Sequence, residues 1–181
     1  MKLMLVLAFL PTLLATEPST TEVLPAWGGL KVGDLAPPFG SFDVAHGGVT
    51  VGLKRVLDLP EVKGVVLTVF GTYCLPCRKG LQILQGAKAE LELKGIRVLA
   101  MSFLEDEEAV KAYIKGHTLD LVILTDKFGA NLKSYGFTPE NKTALPKTFL
   151  LAKDRRILKI LGSEGEDFLA VIEQTLGALK P

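Results

Sequence analysis

The stretch "GVVLTVFGTYCLPCRKGLQIL", residues 64–84, decides the fold. Its first part, 64 to 70, is an apolar run rich in β-branched side chains and begun by Gly64, the composition of a strand covered on both faces. After Cys74 the periodicity changes. Cys77, Leu81, Leu84 and Leu91 are spaced by four, three and seven, which places them on one side of a helix that ends near Gly95. The stretch therefore predicts a strand, a turn and a helix, with the only two cysteines of the 181-residue chain at the turn.

Cysteines at i and i+3 on the first turn of a helix have Cα atoms about 5 to 6 Å apart, inside the window that a disulfide requires. The first sulfur, on Cys74, sits where free backbone N–H groups and the helix dipole favour an anion, so its thiol pKa is expected to be depressed. Cys77, one turn inside and more covered, suits a resolving role, and Arg78 and Lys79 add positive charge nearby. Three chemistries compete for such a pair. A structural bridge that encloses two residues restricts the unfolded chain very little. A zinc site wants four ligands, and only His46 and His117 stand beside the two cysteines. A redox pair fits best; no metal is expected, and the Cys74–Cys77 disulfide itself takes the place of a cofactor.

Downstream, "GIRVLAMSF" (95–103) predicts a strand and "EDEEAVKAYIKG" (105–116) a helix with acids first and lysines last, as the dipole prefers. "LDLVILT" (119–125) predicts a third strand, and "DKFGANLKSYG" a short helix with Asp126 as its N-cap. "KTFLLA" and "RILKILG" are separated by the charged turn "KDRR", too short for a crossover, so they should pair as an antiparallel hairpin. A final amphipathic helix is expected from about Glu164 to Leu179. Upstream, "VTVGLKRVL" reads as a short strand followed by a turn of helix. Parallel β-α-β units followed by a hairpin and a helix make an α/β fold, a mixed sheet with helices on both faces.

Lys and Arg total 21 against 20 Asp and Glu, a formal charge of +1, with no like-charged run. A nucleic-acid partner is not expected. The first 15 residues hold one cation, Lys2, and an apolar stretch from Leu3 to Ala15, interrupted by Pro11 and Thr12. About 13 such residues are too few for a spanning helix, which needs roughly 20, so residues 1–15 read as a signal peptide, with an uncleaved anchor as the alternative. A membrane partner follows only in that second case. Residues 16–31 read as a tether and 32–181 as the domain.

The segments "VVLTVFGTYCLPCRKGLQIL", "ALPKTFLLAKDRRILKILG" and "VGDLAPPF" together resemble the thioredoxin-like superfamily, and within it the exported TlpA/ResA-type thiol–disulfide oxidoreductases. The resemblance covers roughly residues 32 to 180. It implies a thioredoxin-like three-layer sandwich, client proteins with disulfides or thiols, an upstream thiol–disulfide electron donor, a reductant role and an extracytoplasmic, periplasmic location. It also implies that Pro146 is cis and faces the dithiol, so that Leu145 offers its backbone beside Cys74 to a client segment added as a strand. Tyr73 stands where the family usually has Trp and serves as a flat docking surface. Pro76, with Leu75, lies where the superfamily tunes the potential, and adds to the client-facing surface.

The chain departs from the family at several positions. Gly80 and Thr68 stand where relatives carry acids that shuttle protons to the second cysteine. Glu105 and Asp106 are near enough in the predicted order to approach the site, but helix capping is the expected role of both. "FTPENKTALPK" lacks the Gly-Ala-Pro-Glu sequence of the cytochrome-maturation branch. Two other activities share the fold: an exported copper metallochaperone, which pairs a C-x-x-x-C motif with a later histidine absent here, and a peroxidase of the peroxiredoxin kind, whose Pro-x-x-x-Thr/Ser-x-x-Cys pattern is not matched by Gly71, Thr72 and Tyr73. His117 reads as a solvated loop residue, Trp27 as a tether side chain, Phe128, Tyr135 and Phe137 as core or edge packing, and "KDRR" as a solvated turn.

Overall fold

The computed structural model describes residues 29–140, 145–162, 165 and 167–179. The proposed leader, Trp27 and all of the tether before residue 29 lie outside them. In chain order the elements are β1 (Gly40–Asp43), β2 (Val49–Gly52), α1 (Leu53–Leu57), β3 (Gly64–Phe70), α2 (Leu75–Leu93), β4 (Ile96–Phe103), α3 (Glu107–His117), β5 (Val122–Asp126), a 3-10 turn (Leu132–Tyr135), β6 (Lys147–Ala152), β7 (Ile157–Leu161) and α4 (Phe168–Gly177).

Every residue of β3 is buried, and the sheet is built outward from it. Its parallel neighbour is β4, with Gly64 opposite Ile96 and Phe70 opposite Ser102; its antiparallel neighbour is β6, with Thr68 opposite Thr148. The seven strands run in the order β2-β1-β5-β4-β3-β6-β7. Because β3, β4 and β5 are parallel and successive, right-handed crossovers put α2 and α3 on one face. There they share a core with α4, in which Leu81, Leu84 and Leu91 pack with Val66, Phe70, Val110 and Ile172. The opposite face carries α1 and the 3-10 turn, and packs Leu53, Leu57 and Tyr135 on Val65, Leu67 and Phe149. A buried strand whose alternate residues feed two cores needs apolar side chains at every position, which is why residues 64 to 70 show no alternation.

Helix α2 stops where Gly95 takes φ +79°, and a Cβ there would lie 2.6 Å from the carbonyl oxygen of Glu61. Only glycine fits that turn.

The mixed sheet, the hairpin and the registers of α2 and α3 agree with the sequence reading, "VTVGLKRVL" is β2 followed by α1, and α4 begins at Phe168, the expected start at Glu164 lying outside the described residues. Strand β1 has no counterpart in that reading, because its polarity is inverted: Phe42 is 59% exposed while Ser41 and Asp43 are buried. Those two polar side chains are satisfied inside. Ser41 Oγ donates to the carbonyl of Thr125 at 2.7 Å, and Asp43 Oδ1 accepts from the amides of Ala45 and Ile123. Asp126 belongs to β5 rather than to the cap position. Its Oδ2 nonetheless accepts the amide of Leu132, first residue of the 3-10 turn, at 2.8 Å. The "KDRR" turn is not merely solvated, since Arg155 and Arg156 donate to the carbonyls of Ala36 and Gly33 and hold the segment 33–36 against the hairpin. Tyr135 and Phe137 are core, as expected, but Phe128 is 83% exposed. His117 remains in α3, with its ring stacked on Tyr113 at 4.2 Å and Nδ1 2.9 Å from the Tyr113 carbonyl.

Two polar clusters tie these elements together. His46 has Nδ1 2.7 Å from Asp43 and Nε2 3.0 Å from Asp120, so an imidazolium donates at both ends. Lys88 of α2 reaches Asp120 at 2.6 Å. On the face that α2 covers, Thr148 Oγ1 donates to Thr68 Oγ1 at 2.9 Å, both residues being buried.

The bond to Asp120 first, and that to Asp43 next, raise the His46 pKa above its ordinary 6.5. A raised folded-state value means that the stabilisation is complete below 6.5 and is lost as pH climbs through the raised value. In thermal melts, His46→Gln is therefore expected to lower the midpoint most on the acid side of 6.5, with the gap from the parent protein narrowing as the solution is made alkaline. For the hydroxyl pair, Thr68→Val leaves the Thr148 hydroxyl without its acceptor and should cost about 1–3 kcal/mol in denaturant unfolding. The Thr68→Val/Thr148→Val double variant removes both polar groups and should recover most of that loss.

Candidate active site

The parallel strands β3, β4 and β5 all point their C-terminal ends at one edge of the sheet, and the two cysteines lie on that edge. After Phe70 the chain makes a tight turn, closed by the Cys74 amide donating to the Gly71 carbonyl at 3.0 Å. The ring of Tyr73 folds back across Gly71, where a Cβ would stand 2.8 Å from two ring atoms. Glycine at 71 is what lets the ring lie there.

Cys74 occupies the N-cap of α2 with extended backbone, φ −89° and ψ 106°. The Cys77 amide donates to Cys74 Sγ at 3.2 Å. The sulfur thus takes the position in which a capping oxygen would satisfy an orphan N–H of the first turn. Pro76 falls within that first turn, where a missing N–H leaves no helix bond unmade. The two cysteines form a disulfide, with S–S 2.01 Å, χ3 79° and Cα atoms 5.3 Å apart, inside the separation expected from their spacing.

Exposure divides the pair. Cys77 is 1% exposed and Cys74 is half-buried, with Leu75 and Pro76 exposed beside it. Tyr73 is 60% exposed. Leu145 and Cys74 both pack on the core that α2 covers, the Leu145–Pro146 peptide bond is cis, and Pro146 is buried. Lys147, next along β6, is also buried, and its ammonium lies 5.6 and 5.9 Å from the ring centres of Phe137 and Phe149. Burial lowers its pKa. A cavity of about 290 Å³ opens at the same end of the sheet, among Phe103, Leu104, Phe128, Phe137 and Pro139.

No acid occupies position 68 or 80. The Thr68–Thr148 hydroxyl pair stands on the Cys77 side of the sheet instead, and Ser102, opposite Phe70, has a buried hydroxyl with no hydrogen-bond partner among the described residues.

Glu105 departs from its expected capping role. Its two carboxylate oxygens accept the Thr72 amide at 3.1 and 3.0 Å, and Oε1 also accepts the Thr72 hydroxyl. The residue before it, Leu104, has φ 57°, a left-handed backbone that costs a side-chain-bearing residue roughly 1–2 kcal/mol. Asp106 stands at the N-cap of α3 but makes no side-chain cap bond, and pairs with Lys127 at 2.6 Å. Burial first, and then the charge of Glu105, push the Tyr73 hydroxyl pKa up. The sequence carries no local sign of the Glu105–Thr72 contact, which joins residues 33 positions apart.

Among the described residues no three His, Cys, Asp or Glu side chains gather as a metal site, and no helix is long and apolar enough to cross a membrane.

Residues 32–160 match the AhpC/TSA family. The chain is 30% identical over 152 residues to the thiol–disulfide oxidoreductase ResA of Bacillus thuringiensis subsp. konkukian, covering 84% of this chain and 80% of that one. Among solved structures it resembles a protein described as thiol:disulfide interchange protein DsbE from Chlorobium tepidum, with a TM-score of 0.68, 24% identity, and coverage of 84% of this chain and 100% of that one. It also resembles the peroxidoxin BcpB of Mycobacterium tuberculosis, with a TM-score of 0.69, 19% identity, and coverage of 84% and 99%. Identities this low carry the fold alone, and it is the one expected: a thioredoxin-like mixed sheet with helices on both faces. The family match, the identity to ResA over most of both chains and the C-x-P-C turn agree, and the chain belongs to the AhpC/TSA family as a thiol–disulfide oxidoreductase of the ResA kind.

Proposed function

We propose that this protein is an extracytoplasmic reductant of protein disulfides, with Cys74 as nucleophile and Cys77 as resolving thiol. The observation that carries the assignment of roles is the asymmetry of the pair. Cys74 caps α2 at a half-open edge, while Cys77 is closed off one turn inside and its amide points at the leading sulfur. In the reduced protein that amide and the helix dipole stabilise a Cys74 thiolate.

The thiolate attacks one sulfur of a client disulfide. A Cys74–client bond forms, the client S–S bond breaks, and the second client sulfur leaves as thiolate and takes up a proton. Cys77 then loses its proton and attacks Cys74 Sγ, which releases the first client sulfur and forms the Cys74–Cys77 bridge. Two electrons have passed to the client, and an upstream thiol–disulfide donor returns the protein to the dithiol. No other cofactor is needed.

Around the leading sulfur, Tyr73 and Pro76 offer exposed surface to the client, and the client backbone pairs alongside Leu145 above the buried Pro146. The cavity bordered by Phe128 and Phe137, at the same end of the sheet, receives an apolar client side chain. Residues 1–15 direct the chain out of the cytoplasm into a periplasm-like compartment. The donor role rests on the likeness to ResA-type proteins.

Cys77→Ser is expected to accumulate a mixed disulfide through Cys74 when the reduced protein meets an oxidised client, visible as an added mass that dithiothreitol removes. Cys74→Ser should give no such adduct and should lose client reduction. Absence of any adduct on Cys77→Ser with glutathione disulfide and with protein disulfides would overturn the exchange reading. A potential measured against glutathione that is as high as those of disulfide-forming oxidants would overturn the donor role alone.

A further inference from the structure

We infer that Glu105 is a positioning residue of the dithiol site, which holds the turn that presents Cys74 and whose charge opposes the Cys74 thiolate, so that the pair gives up electrons more readily. The inference rests on Cys74 and Cys77 being the exchanging pair.

The geometry comes first. Thr72 is the second residue of the turn that the Cys74 amide closes onto Gly71. Its amide and its hydroxyl both donate to Glu105, so the carboxylate holds the turn two residues before the sulfur. The left-handed backbone at Leu104 directs the chain so that Glu105 faces β3's turn rather than the first turn of α3. Asp106, which follows, is occupied by Lys127. The Tyr73 ring lies against Gly71, on the same turn, and its hydroxyl responds to the Glu105 charge.

The charge follows from that placement. A carboxylate this close to the turn makes a thiolate on Cys74 less favourable, against the stabilisation that the start of α2 provides. The disulfide carries no charge and does not respond. Destabilising only the reduced form shifts the couple toward the disulfide, which is the direction of a stronger donor. Among the described residues the other charged and titratable groups near the turn are Tyr73 within it, Arg78 and Lys79 in the first turn of α2, Tyr113 on α3 with Arg78 beside its hydroxyl, and, beyond Pro146, Lys147 on β6. Among the described residues Glu105 is the carboxylate whose hydrogen bonds reach the turn.

The test uses the full chain and the variants Glu105→Gln and Glu105→Ala. Glutamine keeps an oxygen for the Thr72 amide and an amide donor for the Thr72 hydroxyl, and removes the charge; alanine removes both. The rate of iodoacetamide alkylation of the reduced proteins against pH reads the Cys74 thiol. Equilibration with glutathione, in which protein dithiol and glutathione disulfide give protein disulfide and two glutathione molecules, reads the couple. Glu105→Gln is expected to lower the thiol pKa by about one unit. At a pH where that thiol is ionised in both proteins, it should move the glutathione equilibrium about tenfold toward the dithiol, equivalent to about 30 mV. Glu105→Ala should lower the pKa similarly and, with the turn released, slow oxidation by glutathione disulfide by about tenfold. A thiol pKa and an equilibrium unchanged in both variants would overturn the inference, as would a rise in pKa. Alkylation needs no exchange partner, so it still decides the role of Glu105 if the parent protein fails to equilibrate with glutathione, an outcome that would instead overturn the exchange reading.

Discussion

The hydrogen bond from the Cys77 amide to the sulfur of Cys74, 3.2 Å long, is the contact on which the site depends. It forms only if the chain leaves a strand and begins a helix within a few residues, with the first cysteine at the cap and the second inside the first turn. β3 secures the first condition, because it is buried along its whole length between β4 and β6 and cannot shift its end. α2 secures the second. Leu81, Leu84 and Leu91 are each at most 1% exposed, and burying such side chains contributes roughly 1.5–3 kcal/mol apiece. The helix N-terminus is thereby held against the sheet edge, and a backbone dipole becomes a fixed chemical tool.

Near the sulfur, electrostatics are local. The chain has a formal charge of only +1, so long-range steering of a charged partner is weak, and the groups that act on the sulfur are those of the surface around the turn. That surface exposes Tyr73 and Leu75 beside the charged Arg78 and Lys79. Within it a single carboxylate, Glu105, is tied to Thr72, while the first turn of α2 contributes the opposing partial charge. On the inference drawn for Glu105, helix dipole and carboxylate act on the same atom with opposite signs.

The positions at which sequence reasoning erred share a cause. β1 hides its register because Ser41 and Asp43 point inward to partners on β5 and on the turn at Ala45, whereas Phe42 points out; alternation reports burial only when polarity and burial agree. Asp126 reads as the cap of a helix immediately after it, and instead reaches across five residues from the end of β5 to the Leu132 amide. Arg155 and Arg156 look like solvated turn residues until the segment 33–36 is laid beside them. Glu105 looks like one of several acids at a helix start, and its partner lies 33 residues earlier. For Ser41, Arg155, Arg156 and Glu105 the deciding contact is remote in the chain.

By itself the sequence determined the run of strands and helices from residue 64 onward apart from the segment 126–136, the reach between Cys74 and Cys77, and the side of α2 that is buried. These depend on neighbours within a turn or two, where rise and periodicity convert spacing directly into geometry. Only the tertiary structure decided the order of the strands beyond the β6–β7 hairpin, that β1 joins the sheet beside β5, that Thr68 and Thr148 face each other, and that a carboxylate just beyond β4 holds the turn before the leading cysteine. Those contacts arise when separate elements pack together, and the residues that make them carry no mark of their partners in the linear chain.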